Sequence, residues 1–146
     1  MSPPVILLAE DNDLDAVLFT KVNELCASPF TVVRVADGVK AVDYLRGAGD
    51  YADRAKYPTA NLLLLDLKMP NQDGFAVLRW RQEHPAFLHV PVIVYSSSYL
   101  PADVELAYGL GASSYVVKPT DPVRLERFVR SLQTFWSEFN VTTGLE

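Results

Sequence analysis

Two patterns of hydrophobic positions alternate along the chain: short continuous apolar runs, and longer segments in which apolar residues recur every three or four positions. The first pattern reads as strands buried on both faces of a parallel sheet, the second as helices laid against that sheet. Val5 to Ala9 predicts the first strand. Asn12-Asp13 then supplies N-cap chemistry for a helix carrying Leu14, Val17, Leu18, Val22 and Leu25 at helical spacing and ending near Ala27-Ser28-Pro29. Phe30 to Val35 is β-rich, and Asp37-Gly38 opens a second helix with Val39, Val42, Tyr44 and Leu45, stopped by Gly47 and Gly49. A long polar connection containing Pro58 runs from Gly47 to Ala60. Leu62 to Leu65 predicts the third strand, and Asp73-Gly74 a helix through Phe75, Val77, Leu78 and Trp80 to about His84-Pro85. Val90 to Tyr95 reads as a strand, Pro101 to about Leu110 as a helix closed by Gly109 and Gly111, and Ser114 to Val117 as the last strand. Asp121-Pro122 starts a final helix through Leu125, Phe128, Val129, Leu132 and Trp136.

Such strict alternation predicts an α/β fold with a five-stranded parallel sheet, right-handed crossovers and helices on both faces. Five units are too few for an eight-stranded barrel and leave an open, doubly wound sheet. Residues 1–138 are expected to form one domain and residues 139–146 a tail.

Composition narrows the class. A length of 146 residues with 49% hydrophobic and 21% charged positions suits a single domain with a substantial core. The formal charge of −5 argues against nucleic acid as a partner, because phosphate backbones select basic surfaces. Cys26 is the only cysteine, which rules out an intramolecular disulfide and fits a reducing cytoplasm. The run Val5 to Ala9 ends in Glu10-Asp11 without a basic flank, so neither a signal peptide nor a membrane span is expected. His84 and His89 have no spaced metal partners and read as ordinary loop histidines.

The charged and hydroxyl residues at the predicted strand ends carry the chemistry. Glu10-Asp11 follow the first strand, Asp66 the third, Ser96-Ser97-Ser98 the fourth and Lys118-Pro119 the fifth. Singly, each has an ordinary explanation as a helix start, a turn or a loop charge. In an open α/β sheet, however, all of them face the crevice at the carboxyl ends of the strands, where ligands bind. Three carboxylates converging there repel one another unless a cation sits among them. Oxygen ligands with open water positions suit Mg²⁺ better than Ca²⁺. With the Lys118 ammonium and the Ser96 hydroxyl they make a cradle for a phosphoryl group, and Asp66 is the candidate nucleophile.

These motifs give the chain a family likeness. It resembles the receiver domain of two-component response regulators over essentially its whole length. The resemblance is carried by Glu10-Asp11, by Leu65-Asp66-Leu67-Lys68-Met69-Pro70 with Asp73-Gly74, by Pro91-Val92-Ile93-Val94-Tyr95-Ser96, and by Gly111-Ala112 leading to Tyr115-Val116-Val117-Lys118-Pro119. The connection before the third strand and the Phe135-Trp136 ending also look like stand-alone regulators that serve phytochrome-type histidine kinases. The resemblance implies a flavodoxin-like (βα)5 receiver fold with strand order 2-1-3-4-5. It implies that Asp66 accepts phosphate from a sensor histidine kinase, and that Asp11, Asp66 and the Lys68 backbone carbonyl hold Mg²⁺ while Glu10 acts through water. It further implies a cis Lys118–Pro119 peptide, and a switch in which Ser96 swings toward the phosphate while the Tyr115 ring turns from outward to inward. Such a protein is not an enzyme on other substrates; it catalyses only its own phosphorylation and dephosphorylation. Glu10 stands for the more usual Asp, Ser96 for the frequent Thr and Ser97 for Ala, and Lys68 and Ser98 lie where the family tunes phosphate lifetime.

Two other readings compete. A haloacid dehalogenase-type phosphotransferase also uses a carboxylate nucleophile at a strand end, but needs a second Asp two residues on, where this chain has Lys68. A flavodoxin-like flavin carrier would set its cofactor phosphate against Glu10-Asp11, which repel it. No output domain is seen after the last helix, so the signal is expected to leave by protein contact or onward phosphotransfer. Leu125, Phe128, Leu132, Phe135, Trp136 and Phe139 give that helix more aromatic surface than one stripe can bury, predicting a homodimer through the fourth helix, fifth strand and fifth helix.

Overall fold

The central strand β3 (Leu62–Leu65) and its neighbour β1 (Val5–Ala9) are buried at every position, as their uninterrupted apolar sequences require. In the computed structural model, which describes residues 3–27 and 30–141, they are flanked by β2 (Thr31–Val35), β4 (Val92–Ser96) and β5 (Ser114–Val117). All pairings are parallel and the order is β2-β1-β3-β4-β5, the order implied by the family resemblance.

Five helices cover the sheet: α1 (Asp13–Leu25), α2 (Gly38–Arg46), α3 (Gly74–Glu83), α4 (Pro101–Gly109) and α5 (Pro122–Thr134), the last continuing through a π-helical turn, Phe135–Phe139. The alternation of side chains along the strands splits the core. Leu7, Ala9, Leu63 and Leu65 meet Val42 and Leu45 of α2, Val77 and Leu78 of α3 and Ala107 of α4. Ile6, Leu8, Leu62 and Leu64 meet Ala16 and Phe19 of α1 and Leu125, Val129 and Leu132 of α5.

Four of the five helices that begin beside the strand ends are fixed there by their own caps. Asn12, Asp37, Asp73 and Asp121 accept hydrogen bonds from the backbone N–H three residues on, so α1, α2, α3 and α5 start at defined points. α4 lacks such a cap; Pro101 opens it, and Asp103 in its first turn accepts the Ser98 hydroxyl instead. The Gly47 to Ala60 connection is ordered. Gly47 takes the left-handed conformation at the end of α2, and Arg54 donates to the carbonyls of Tyr44 and Leu45.

The buried face of α1 differs from the expected one. Leu14, Val17, Leu18 and Leu25 are exposed, Val22 is only half-buried, and Ala16, Phe19, Asn23 and Cys26 pack inward. Phe19 decides the orientation. Its ring fills the space under the sheet edge-to-face with Tyr95, 5.9 Å between centroids, a larger burial than any leucine of the opposite stripe could offer from that position. In α5, Leu125, Val129 and Leu132 are buried and Phe128 and Trp136 half-buried, while Phe135 and Phe139 face solvent. Strand β4 begins at Val92, two residues later than expected, because Val90 closes a turn on Phe87 and Pro91 has no N–H for the ladder. Of the expected tail, residues 142–146 lie outside the described residues, and Phe139 belongs to the helical ending.

Candidate functional site

Register brings the strand-end residues together. Ala9 pairs with Leu65 in the parallel ladder, so Glu10 and Asp66, each one residue beyond, emerge side by side, and the Asp66 N–H donates to the Ala9 carbonyl at 3.0 Å. Ser96 pairs with Val117, and the Lys118 N–H donates to the Ser96 carbonyl at 2.8 Å, which sets Lys118 across the crevice from the acids. Glu10, Asp66 and Ser96 are almost fully buried, whereas Asp11 is exposed.

The Lys118 ammonium is the hub. Its Nζ lies 2.6 Å from Glu10 Oε1, 3.0 Å from Asp15 Oδ2 and 3.1 Å from Asp66 Oδ2. Burial pulls its pKa down, but the hydrogen bonds and charges of Glu10, Asp66 and Asp15 outweigh this and hold it above the ordinary lysine value. Burial, first, pushes the Glu10 carboxyl up to about 7, with Asp66 adding to the rise and Lys118 opposing it.

Backbone contacts fix the acids. Arg34 on β2 donates from Nε to the Glu10 carbonyl at 2.8 Å and from Nη2 to the Asp11 carbonyl at 3.2 Å, and it pairs with Asp13. On the far side, Gly74 packs so closely on the Asp66 segment that a Cβ there would lie 2.3 Å from the Asp66 carbonyl oxygen. The Lys68 N–H approaches Asp66 Oδ1 at 3.4 Å, a long contact that leaves this oxygen without a strong donor.

The carboxylates suit a divalent cation. Glu10, Asp11 and Asp66 offer oxygens that all lie within 4.8 Å of one another. Glu10 Oε1 is buried, and the 2.6 Å ion pair with the Lys118 ammonium is its one close polar contact among the described residues. A buried carboxylate oxygen in that condition is the kind of ligand a hard cation satisfies.

On the switch side, Ser96 Oγ accepts from the Ser98 N–H at 3.2 Å, and the Tyr115 hydroxyl donates to the Ser98 carbonyl at 2.8 Å. Tyr115 is therefore not turned out to solvent, as the resemblance implied for the resting state; it is half-buried and tied to the loop after β4. The expected cis Lys118–Pro119 peptide is also absent, since no peptide among the described residues is cis. Trans is the lower-energy form of an X–Pro bond by about 0.5–1 kcal/mol, and from this backbone Lys118 already reaches all of its carboxylate partners.

Arg34 and Asp15 were not foreseen in the sequence. Asp15 sits in the first turn of α1 and Arg34 inside an apolar strand, and neither position carries a signal until the strands are placed side by side. His84 and His89 lie apart from the site; His84 stacks on Trp80.

Comparison with known proteins agrees with this geometry. Residues 6–130 match the response regulator receiver domain family. Response regulator Rcp1 of Synechocystis sp. is 32% identical over 136 residues, covering 93% of this chain and 90% of that protein. The crystal structure of the Mn²⁺-bound form of Rcp1 superposes with a TM-score of 0.84 at 31% identity, covering 97% of this chain and 100% of the other. The phosphorylated cyanobacterial phytochrome response regulator RcpA gives a TM-score of 0.86 at 32% identity, over 97% and 99% of the two chains. Response regulator RPA3017, which acts in red light signaling of R. palustris, gives 0.88 at 34% identity over the same shares. The chain belongs to the response regulator receiver domain family, whose members are signalling proteins.

Proposed function

We propose that this chain is a single-domain response regulator in which Asp66 accepts a phosphoryl group from the phosphohistidine of a sensor histidine kinase. The observation that carries the reading is the setting of Asp66: a nearly buried carboxylate at the end of the central strand, 3.1 Å from an ammonium and grouped with two further carboxylates. As an Asp66 oxygen bonds to phosphorus, the P–N bond to the donor imidazole breaks and the imidazole keeps the electron pair. Lys118 stands where it can pair with a phosphoryl oxygen, and the Ser96 hydroxyl can donate to another. Glu10, Asp11, Asp66 and the Lys68 backbone carbonyl are the proposed holders of Mg²⁺, which when bound would neutralise the phosphoryl oxygens and orient them for in-line attack. The chain acts on no other substrate, and neither nucleic acid nor membrane is among its partners.

The kinase is proposed to be of phytochrome type, on the strength of the red-light and phytochrome regulators to which this chain is similar. Its docking surface is proposed to include Leu14, Val17 and Leu18, an exposed apolar stripe on the helix that begins beside the acidic pair. A homodimer is proposed through α4, β5 and α5, resting on exposed Leu106, Tyr108, Val117, Phe135 and Phe139. Light scattering that finds only monomer at high micromolar concentration, with and without phosphate, would reject the dimer. The cytoplasm is the proposed compartment. Among the described residues no helix is long and apolar enough to cross a membrane.

Acetyl phosphate with Mg²⁺ should add one phosphoryl group by intact mass, and Asp66→Asn should abolish it. The same adduct on the Asn variant would overturn the assignment. A flavin carrier would give no such Asp66-dependent adduct; the haloacid dehalogenase reading, which shares a carboxylate nucleophile, is disfavoured instead by Lys68, which stands where its second Asp would be.

A further inference from the structure

Lys118 and a divalent cation compete for the same oxygens. Two of the three carboxylates on the ammonium, Glu10 and Asp66, belong to the acidic cluster that suits a cation; the third, Asp15, does not. An ammonium has three N–H donors and here meets three carboxylates, so removing one partner throws more of its attraction onto the other two.

Asp15 is held in place for this. It occupies the third position of α1, where an acidic side chain ordinarily reaches back to the N-cap N–H. Here Glu10 Oε2 takes the Asn12 N–H at 3.2 Å instead, while Asn12 Oδ1 accepts the Asp15 N–H at 2.9 Å. The Asp15 carboxylate is thereby released from the cap and turned across α1 to Lys118, 103 residues away in sequence. Glu10, Asn12, Asp15 and Lys118 close a ring. The Asp15 side chain keeps partial exposure, 35% against 1% for Glu10, so holding the ammonium on that side leaves it better hydrated than deeper in the crevice.

We propose that Asp15 is a positioning residue that shares the Lys118 ammonium with Glu10 and Asp66 and so weakens its hold on those two carboxylates, leaving them able to take a divalent cation. The proposal rests on the reading that Glu10, Asp11 and Asp66 hold that cation. Asp15 touches neither the cation nor the phosphoryl group and acts only through Lys118.

The test is a double-mutant cycle on Mg²⁺ affinity, measured by titration calorimetry with the metal alone. Asp15→Asn, with Asp15→Ser as a second substitution tolerated in a first helical turn, should weaken Mg²⁺ binding about two- to fivefold, the scale of a partly exposed ion pair. In a Lys118→Met background, where no ammonium competes, the same substitutions should leave Mg²⁺ affinity unchanged. An equal loss in both backgrounds would show Asp15 acting as a bulk negative charge and overturn the proposal. So would an unchanged affinity in the Lys118 background, or a parent chain that binds no Mg²⁺. Failure of the Asp66 assignment is seen separately, as a parent that takes no phosphate from acetyl phosphate while the metal cycle still reports on Asp15.

Discussion

The Tyr115 hydroxyl donates to the Ser98 backbone carbonyl at 2.8 Å, seventeen residues away in sequence, and ties β5 to the loop that leaves β4. Ser98 is a node: its N–H meets Ser96 Oγ, and its own hydroxyl reaches Asp103 of α4. A rotation of Ser96 toward a phosphoryl group on Asp66 gives up the contact to Ser98 and leaves Tyr115 and Asp103 as the side chains holding the loop. Tyr115→Phe should therefore still accept phosphate fully but lose about 0.5–1.5 kcal/mol of stability, the value of one hydrogen bond. Hydrogen exchange should quicken at residues 98–100. Unchanged exchange there would remove Tyr115 from the coupling between crevice and α4.

The Ser96 hydroxyl is the other half of that coupling. Ser96→Ala should become phosphorylated on Asp66 yet show a much smaller change in dimerisation or partner affinity. A charge-assisted hydrogen bond contributes about 1.5–3 kcal/mol, enough to shift a balanced two-state equilibrium tenfold or more. Size-exclusion with light scattering on the fully phosphorylated variant reads this directly, and a response equal to the parent's would show that the signal leaves by another route.

Stability should depend on pH through Glu10. Its carboxyl titrates at about 7 in the folded chain against an ordinary value of 4.5. Between those values the fold retains a proton that the unfolded chain releases. This contribution to stability is fully present below about 4.5 and is lost as pH rises through about 7. In chelator, the melting temperature should fall between pH 5.5 and pH 8, and Glu10→Gln should flatten that slope. Because a cation needs the ionised carboxylate, stabilisation by added Mg²⁺ should be larger at pH 8 than at pH 6. Thermal melts at both pH values, with and without Mg²⁺, measure both effects.

Gly74→Ala tests the packing behind the nucleophile. The new Cβ would meet the Asp66 carbonyl oxygen at 2.3 Å and Leu67 Cα at 2.8 Å, both backbone atoms that cannot swing aside. Either α3 backs away or the Asp66 segment shifts. Overpacking of this kind costs about 1–3 kcal/mol, seen as a lower urea midpoint, together with slower phosphorylation by acetyl phosphate.

How much of this was legible in the sequence follows from where the signals reside. Strands β1 and β3 are buried on both faces, so their position shows as an unbroken apolar run, and the charged residues that end them mark the crevice. Asp66, Glu10 and Asp11 were therefore readable, and Lys118 was readable from its place directly after the shorter, half-buried β5. Arg34 was not, because it sits in a β-rich run and bonds to carbonyls of the neighbouring strand's loop, a contact that exists only once β2 lies beside β1. Asp15 was hidden by its ordinary place in a first helical turn. The resting position of Tyr115 depends on a single hydrogen bond to a loop carbonyl, which no residue pattern encodes.

The misread face of α1 yields the last prediction. Apolar spacing chose Leu14, Val17, Leu18 and Leu25, a real stripe by count, but the helix turns Phe19 and Ala16 to the sheet and leaves that stripe in solvent. Exposed apolar residues at helical spacing stabilise nothing in the isolated chain, and a contiguous group of them marks a contact surface. The stripe starts in the turn that follows Asp11, so a protein delivering a phosphoryl group to Asp66 must pass over it. A small phosphodonor need not. Leu14→Gln with Leu18→Gln should leave thermal stability and phosphorylation by acetyl phosphate unchanged while slowing transfer from a phosphorylated kinase tenfold or more, chiefly through weaker binding. If both donors slow equally, the substitutions have disturbed the crevice itself; if neither slows, the kinase docks elsewhere and the stripe has no part in phosphotransfer.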